Sequence, residues 1–109
     1  VNISIDMKET EVGINAKLAG EIDAYTAPKV RDELLPHAEQ SGTKIVVDLS
    51  DVNYMDSTGL GVFVGLFKTL NEHNGELVLK GMSDRLKRLF DITGLADVMD
   101  VNTEVEGGV

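Results

Sequence analysis

The run Ile45-Val46-Val47-Asp48-Leu49 constrains this chain more than any other stretch. Its apolar residues occupy successive positions instead of alternate ones, and several are β-branched. That pattern predicts a strand covered on both faces, of the kind found in sheets whose parallel strands are joined through helices. The next segment supplies a helix, because from Leu60 to Leu70 the apolar residues recur at helical spacing. The joint is Tyr54-Met55-Asp56-Ser57-Thr58-Gly59-Leu60-Gly61. Asp56 and Ser57 both suit a helix N-cap, since a short side-chain oxygen accepts from backbone N–H groups of the first turn. A serine hydroxyl at a helix start lies near the surface, beside N–H groups that also favour an anion. The joint allows two readings: one of the pair merely caps the helix, or Ser57 accepts a phosphoryl group where negative charge is already favoured.

The helix itself has two unlike sides. Projected at about 100° per residue, Leu60, Phe63, Val64, Leu66, Phe67 and Leu70 share a broad core-facing sector. The opposite sector holds Thr58, Gly61, Val62, Gly65 and Thr69, nearly all small. An interior glycine costs roughly 0.5–1 kcal/mol relative to alanine. Two of them a turn apart point to another surface approaching the backbone, either this domain's own sheet or a partner protein. Charged residues are almost absent from that sector until Lys68, which favours a docking face.

Around this unit the elements alternate. Ile3, Ile5 and Met7, then Val12, Ile14, Ala16 and Leu18, predict an antiparallel hairpin bending at Glu9-Thr10-Glu11. Gly20-Glu21-Ile22-Asp23 ends its second strand. Pro28 has the φ of a first helical turn, and Val30, Leu34 and Ala38 form an apolar stripe. Pro36 should kink that helix or end its regular part, with Ser41-Gly42 as the stop. Asn74-Gly75 is a turn, Glu76 to Lys80 a buried strand, and Ser83 the cap of a helix carrying Leu86, Leu89 and Phe90, closed by Gly94. Arg85, Lys87 and Arg88 make a local basic spot, read most simply as a solvated face. Val98, Met99 and Val101 predict a last strand, and Glu104 to Val109 a frayed polar end. The fold class is α/β: one domain over residues 1–109, with a mixed, mostly parallel sheet, an N-terminal antiparallel hairpin and helices packed against it. Ligands of such sheets gather beyond the carboxyl ends of the strands. Tyr54 to Gly59 belong at that edge, and Asp23 is a candidate for it.

Charge and residue types remove several functions. A formal net charge of −9 repels phosphate backbones and anionic membranes, so neither nucleic acid nor a membrane is expected as partner. With no signal pattern and no apolar run near about 20 residues, the expected location is cytoplasmic. A hydrolase elbow needs glycine where Met55 stands, a dinucleotide loop needs it at Val64, and no phosphate-binding G-x-x-x-x-G-K-[ST] loop occurs. His37 and His73 lie in ordinary polar helical surroundings. Without cysteine or clustered ligands no metal centre is built, a weak magnesium contact at Asp56 being the one metal reading left open. The expectation is a non-enzyme without cofactor.

Gly20-Glu21-Ile22-Asp23, Ile45 to Leu49 and Met55-Asp56-Ser57-Thr58-Gly59-Leu60-Gly61, in this order, resemble the STAS domain of bacterial anti-sigma factor antagonists. Arg88-Leu89-Phe90-Asp91-Ile92-Thr93-Gly94-Leu95 is also similar. The likeness spans nearly the whole chain and is strongest to the sigma-B branch of the general stress response, with the sporulation sigma-F branch next. It implies partner switching. The unmodified antagonist binds an anti-sigma factor that is also a serine kinase and so frees the sigma factor. Phosphorylation at the position of Ser57 ends the interaction, and a PP2C-type phosphatase restores it. By the same match Asp23 assists phosphorylation or docking and Asp56 flanks the acceptor. Partner contacts are expected at Asp23, Asp56, Ser57, Thr58, Gly59, Gly61, Val62 and Gly65. The rival classes are a small-ligand or nucleotide sensor and a constitutive scaffold in which Ser57 only caps.

Overall fold

The computed structural model describes residues 3–93 and 100–101. The alternating N-terminal pattern forms β1 (Ile3–Glu9) and β2 (Gly13–Ile22), paired antiparallel with Ile5 opposite Leu18 and Met7 opposite Ala16. Their apolar side chains therefore share one face, as the pleat requires. The bend falls one residue later than the pattern predicted. Thr10 closes it, its hydroxyl accepting from the N–H groups of Val12 and Gly13 at 3.3 and 3.1 Å. Val12 is consequently a turn residue, 61% exposed, and not part of the strand alternation.

The rest of the sheet is parallel. After α1 (Ala27–Ala38) comes β3 (Lys44–Met55), then α2 (Ser57–Glu72), β4 (Glu76–Lys80), α3 (Asp84–Thr93) and β5 (Asp100–Val101). The strand order is β1-β2-β3-β4-β5, antiparallel only between β1 and β2. A mixed, mostly parallel sheet with an N-terminal hairpin is thus the observed architecture. The central strand differs from expectation in one respect. Ile45, Val47 and Leu49 are fully buried, but Lys44, Val46 and Asp48 on the other face are only half-buried. β3 is therefore covered completely on one face alone, whereas Leu77, Val78 and Leu79 of β4 are all buried.

One apolar cluster joins sheet and helices, with Leu18, Ile22, Val30, Leu34, Val47, Phe63, Leu66 and Phe90 fully or almost fully buried within it. Val30, Leu34 and Ala38 form the inward stripe of α1. Pro36 does not end α1, which runs two residues further to Ala38. So near the C-terminus proline forfeits a single backbone bond, and its ring meets only the preceding turn. In α2 the inward stripe is Gly59, Leu60, Phe63, Leu66 and Leu70, while Val64 and Phe67 are half-buried. Ser83 caps α3, accepting from Leu86 N–H at 3.2 Å. The expected stop at Gly94, the strand residues Val98 and Met99, and the tail 104–109 lie outside the described residues. Among the described residues no helix is long and apolar enough to cross a membrane.

Candidate functional site

Parallel pairing of β2 with β3 builds the site. Ile22 pairs with Met55 and Glu21 with Tyr54, after register shifts near Lys17–Ala19 and Gly20–Glu21. The two strands therefore end together, and the next residues, Asp23 and Asp56, leave the sheet side by side. Asp56 N–H donates to the Ile22 carbonyl at 3.2 Å, which joins the two exits.

Each aspartate organises its own loop. Asp23 Oδ1 accepts from the N–H groups of Tyr25 at 2.9 Å and Thr26 at 3.1 Å. The buried Thr26 hydroxyl donates to the Glu21 carbonyl at 2.7 Å and accepts from Asp23 N–H at 2.9 Å. Ala27 N–H then donates to the Asp23 carbonyl at 2.8 Å, so the turn runs directly into α1. The Thr26 N–H above all, against some desolvation and with help from Tyr25, holds the Asp23 carboxyl below its ordinary value of 3.8. Asp56 has extended backbone angles and caps α2, its Oδ1 accepting from Thr58 N–H at 2.9 Å and Gly59 N–H at 3.2 Å. Both carboxylates thus engage Oδ1 locally, leaving Oδ2 without a hydrogen bond among the described residues.

The cap settles the choice between the two residues at the joint. Because Asp56 satisfies the first-turn donors, Ser57 is not the cap and becomes the first residue of α2. Its side chain is exposed, and its hydroxyl makes no hydrogen bond among the described residues. The hydroxyl is therefore open to chemistry at the positive end of a 16-residue helix.

The small-residue stripe divides in two. A Cβ on Gly59 would stand 2.6 Å from Ile22 Cγ2 and 2.9 Å from Met55 Cγ, so glycine is needed there for α2 to approach the sheet edge. Gly59 is buried, and packing within the chain accounts for it without a partner. A Cβ on Gly61 or Gly65 would meet nothing within 4 Å. This domain's own sheet accordingly does not explain those two glycines. With Val62 and Thr58 they border a groove of about 390 Å³ between α1 and α2, whose far wall includes Ala27, Pro28 and Leu35.

Two exposed aromatics stand at this edge, Tyr54 as the sequence placed it and Tyr25 not singled out there. Tyr25, 86% exposed, lies in the turn after Asp23, and Tyr54, 47% exposed, opens the joint just ahead of Met55 and Asp56. The available signal for Tyr25 was its position in the turn after Asp23, where no apolar periodicity requires a large ring. Asp48 and Asp51 belong elsewhere, Asp48 Oδ1 accepting from Ser50 N–H at 2.9 Å and Asp51 pairing with Lys17 at 3.4 Å. Among the described residues no three His, Asp or Glu side chains gather in a metal-holding group.

Comparison with known proteins gives the family. The profile described as STAS domain matches residues 4–107. An anti-sigma-B factor antagonist of Bacillus subtilis (strain 168) is 53% identical over 109 residues, covering 100% of this chain and 99% of the relative. One from Listeria monocytogenes is 55% identical over 108 residues, covering 98% of this chain and 94% of the relative. Among solved structures, a putative anti-sigma factor antagonist from Thermotoga maritima superposes with a TM-score of 0.85 at 20% identity, over 94% of this chain and 88% of that one. Unphosphorylated SpoIIAA, an anti-sigma factor antagonist, gives 0.75 at 18% identity, over 95% of this chain and 92% of that one. Those two likenesses are of fold, whereas the profile match and the full-length identities are of sequence. By sequence and by fold alike, the chain belongs to the STAS domain family.

Proposed function

We propose that this chain is an anti-sigma factor antagonist of the sigma-B kind, a binding protein that catalyses no reaction itself. In the unmodified state it docks through the Asp23–Ser57 edge and the outer face of α2 onto an anti-sigma factor serine kinase, and so releases the sigma factor. The kinase then transfers the γ-phosphoryl of ATP to Ser57. Ser57 Oγ forms the new bond to phosphorus, the bond to the β,γ-bridging oxygen breaks, ADP leaves, and the serine proton passes to a base on the kinase. A PP2C-type phosphatase hydrolyses the phosphoserine. The observation that carries this reading is the exposed Ser57 hydroxyl, without a hydrogen bond among the described residues, at a helix start already capped by its neighbour.

The switch is a matter of charge. Phosphorylation adds about −1.5 to −2 charges at neutral pH. At the start of α2 the helix dipole favours that charge by about 0.3–1 kcal/mol, so the fold survives. The penalty falls on the interface, where the new dianion stands beside the carboxylates of Asp23 and Asp56 and under any docked surface. Burying such a charge without a partner costs several kcal/mol, and every 1.4 kcal/mol is about tenfold in affinity.

The experiment is binding and phosphorylation with the anti-sigma kinase of the same genome, using the wild type, Ser57→Ala and Ser57→Asp. Alanine should abolish phosphorylation while binding persists, and aspartate should weaken binding. Equal binding by all three forms would support a scaffold instead. Saturable nucleotide binding by the chain alone would support a sensor.

A further inference from the structure

The basic spot on α3 has no role in the site so far. Leu86 and Phe90 turn inward from this helix and are buried, which leaves Arg85 and Arg88 exposed one turn apart. Residues three apart on a helix are surface neighbours, so the two guanidinium groups share one patch. They border a shallow hollow with Asn53, Ser83 and Asp84. Lys17 pairs with Asp51 and Arg31 with Asp32, whereas neither α3 arginine makes an ion pair among the described residues. Asp84 borders the same hollow, yet neither guanidinium pairs with it among the described residues. Like charges at this spacing also cost the helix a few tenths of a kcal/mol.

Position gives the patch its meaning. Asn53 lies in β3 only four residues before Ser57, with the exposed Tyr54 between them. The arginines therefore adjoin the same carboxyl edge of the sheet from the α3 side. A stable interface covers about 800 Å² on each partner. The whole domain measures 32 × 31 × 25 Å, so a footprint of that size takes in much of one edge of the molecule.

We propose that Arg85 and Arg88 form a second docking element, which receives a carboxylate-bearing segment of the protein that covers Ser57. Arginine presents a planar fork that grips a carboxylate through two parallel hydrogen bonds, which lysine does not. Asp84 in the same lining disfavours a phosphate dianion and leaves a singly charged carboxylate as the better match. The arrangement also sets polarity. An acidic segment on the partner meets α3, while the surface meeting Asp23 and Asp56 is basic, so a partner turned end for end meets like charge at both places.

This inference rests on the proposed function, and its test separates the two. Binding of the anti-sigma kinase is measured by calorimetry at about 50, 150 and 400 mM salt for wild type, Arg85→Glu/Arg88→Glu and a charge-matched control, Lys8→Glu/Lys44→Glu, at the opposite edge. The α3 reversal should weaken binding at least tenfold at the lowest salt and flatten its salt dependence. The control should stay within threefold of wild type. No binding by wild type would sink the proposed function itself. Wild-type binding with an unaffected α3 variant would overturn only the docking element, as would equal losses in variant and control. Circular dichroism melting is run alongside, and a variant that loses its fold is replaced by Arg85→Gln/Arg88→Gln, expected to weaken binding at least threefold. An unchanged affinity for that variant also overturns the proposal.

Discussion

The main-chain N–H of Asp56 donates to the carbonyl of Ile22 at 3.2 Å, one residue past the register pair of Ile22 with Met55. Through this bond the start of α2 is tied to the end of β2, and two carboxylates 33 positions apart in sequence leave the sheet together. A phosphoryl group added to Ser57 therefore acts on a braced edge. Phosphorylation is expected to move backbone NMR shifts around residues 21–27 and 54–62 and little else. Shifts spreading through β1 and β4 would show that the modification refolds the domain.

The division of labour at the joint can be measured by unfolding. Asp56→Ala removes the acceptor of two first-turn N–H groups and should cost about 1 kcal/mol in urea unfolding. Ser57→Ala removes an exposed hydroxyl that makes no hydrogen bond among the described residues and should change stability by less than about 0.5 kcal/mol. Comparable losses from the two would mean that the serine shares the cap.

Three glycines on one helix should respond differently to alanine. Gly59→Ala forces a methyl group against Ile22 and Met55 and should cost about 1–3 kcal/mol. Gly61→Ala and Gly65→Ala meet open space and should each stabilise α2 by about 0.5–1 kcal/mol. The same two variants should weaken binding to the proposed kinase partner, because a methyl group then lines the proposed docking face. A stabilised Gly61→Ala with unchanged affinity would remove Gly61 from that face.

Acid sensitivity should trace to two carboxylates. Asp23 is held below its ordinary value of 3.8 chiefly by the Thr26 N–H. Burial pushes the Asp48 carboxyl up, but hydrogen bonds from Ser50, with Lys80 and Lys17 nearby, pull it further down, to below 3.8 as well. A group whose folded pKa is depressed contributes its stability above the unfolded pKa and loses it as pH falls through the folded value. The stability curve should accordingly fall as pH drops below about 4, and Asp23→Asn/Asp48→Asn should flatten that limb. Chemical denaturation between about pH 2.5 and 6 checks it, and an equally steep limb in the double variant would assign the loss to other groups.

By itself the sequence determined what depends on local pattern. Alternation and helical periodicity carry their period in neighbouring residues, so the hairpin, the crossover helices and the strand–motif–helix joint were legible from the chain alone. So was the presence of a capping residue at that joint, though not whether Asp56 or Ser57 supplies the cap. Tertiary structure decided the rest, because each remaining question concerned residues distant in the chain. Register between β2 and β3 brought Asp23 to Asp56, and the extended backbone of Asp56 gave it the cap and left Ser57 open. Packing over α2 placed Gly59 against Ile22 and Met55 while leaving Gly61 and Gly65 uncovered. A repeat of glycines states that a backbone must be approachable, but only the neighbours across space determine what approaches it.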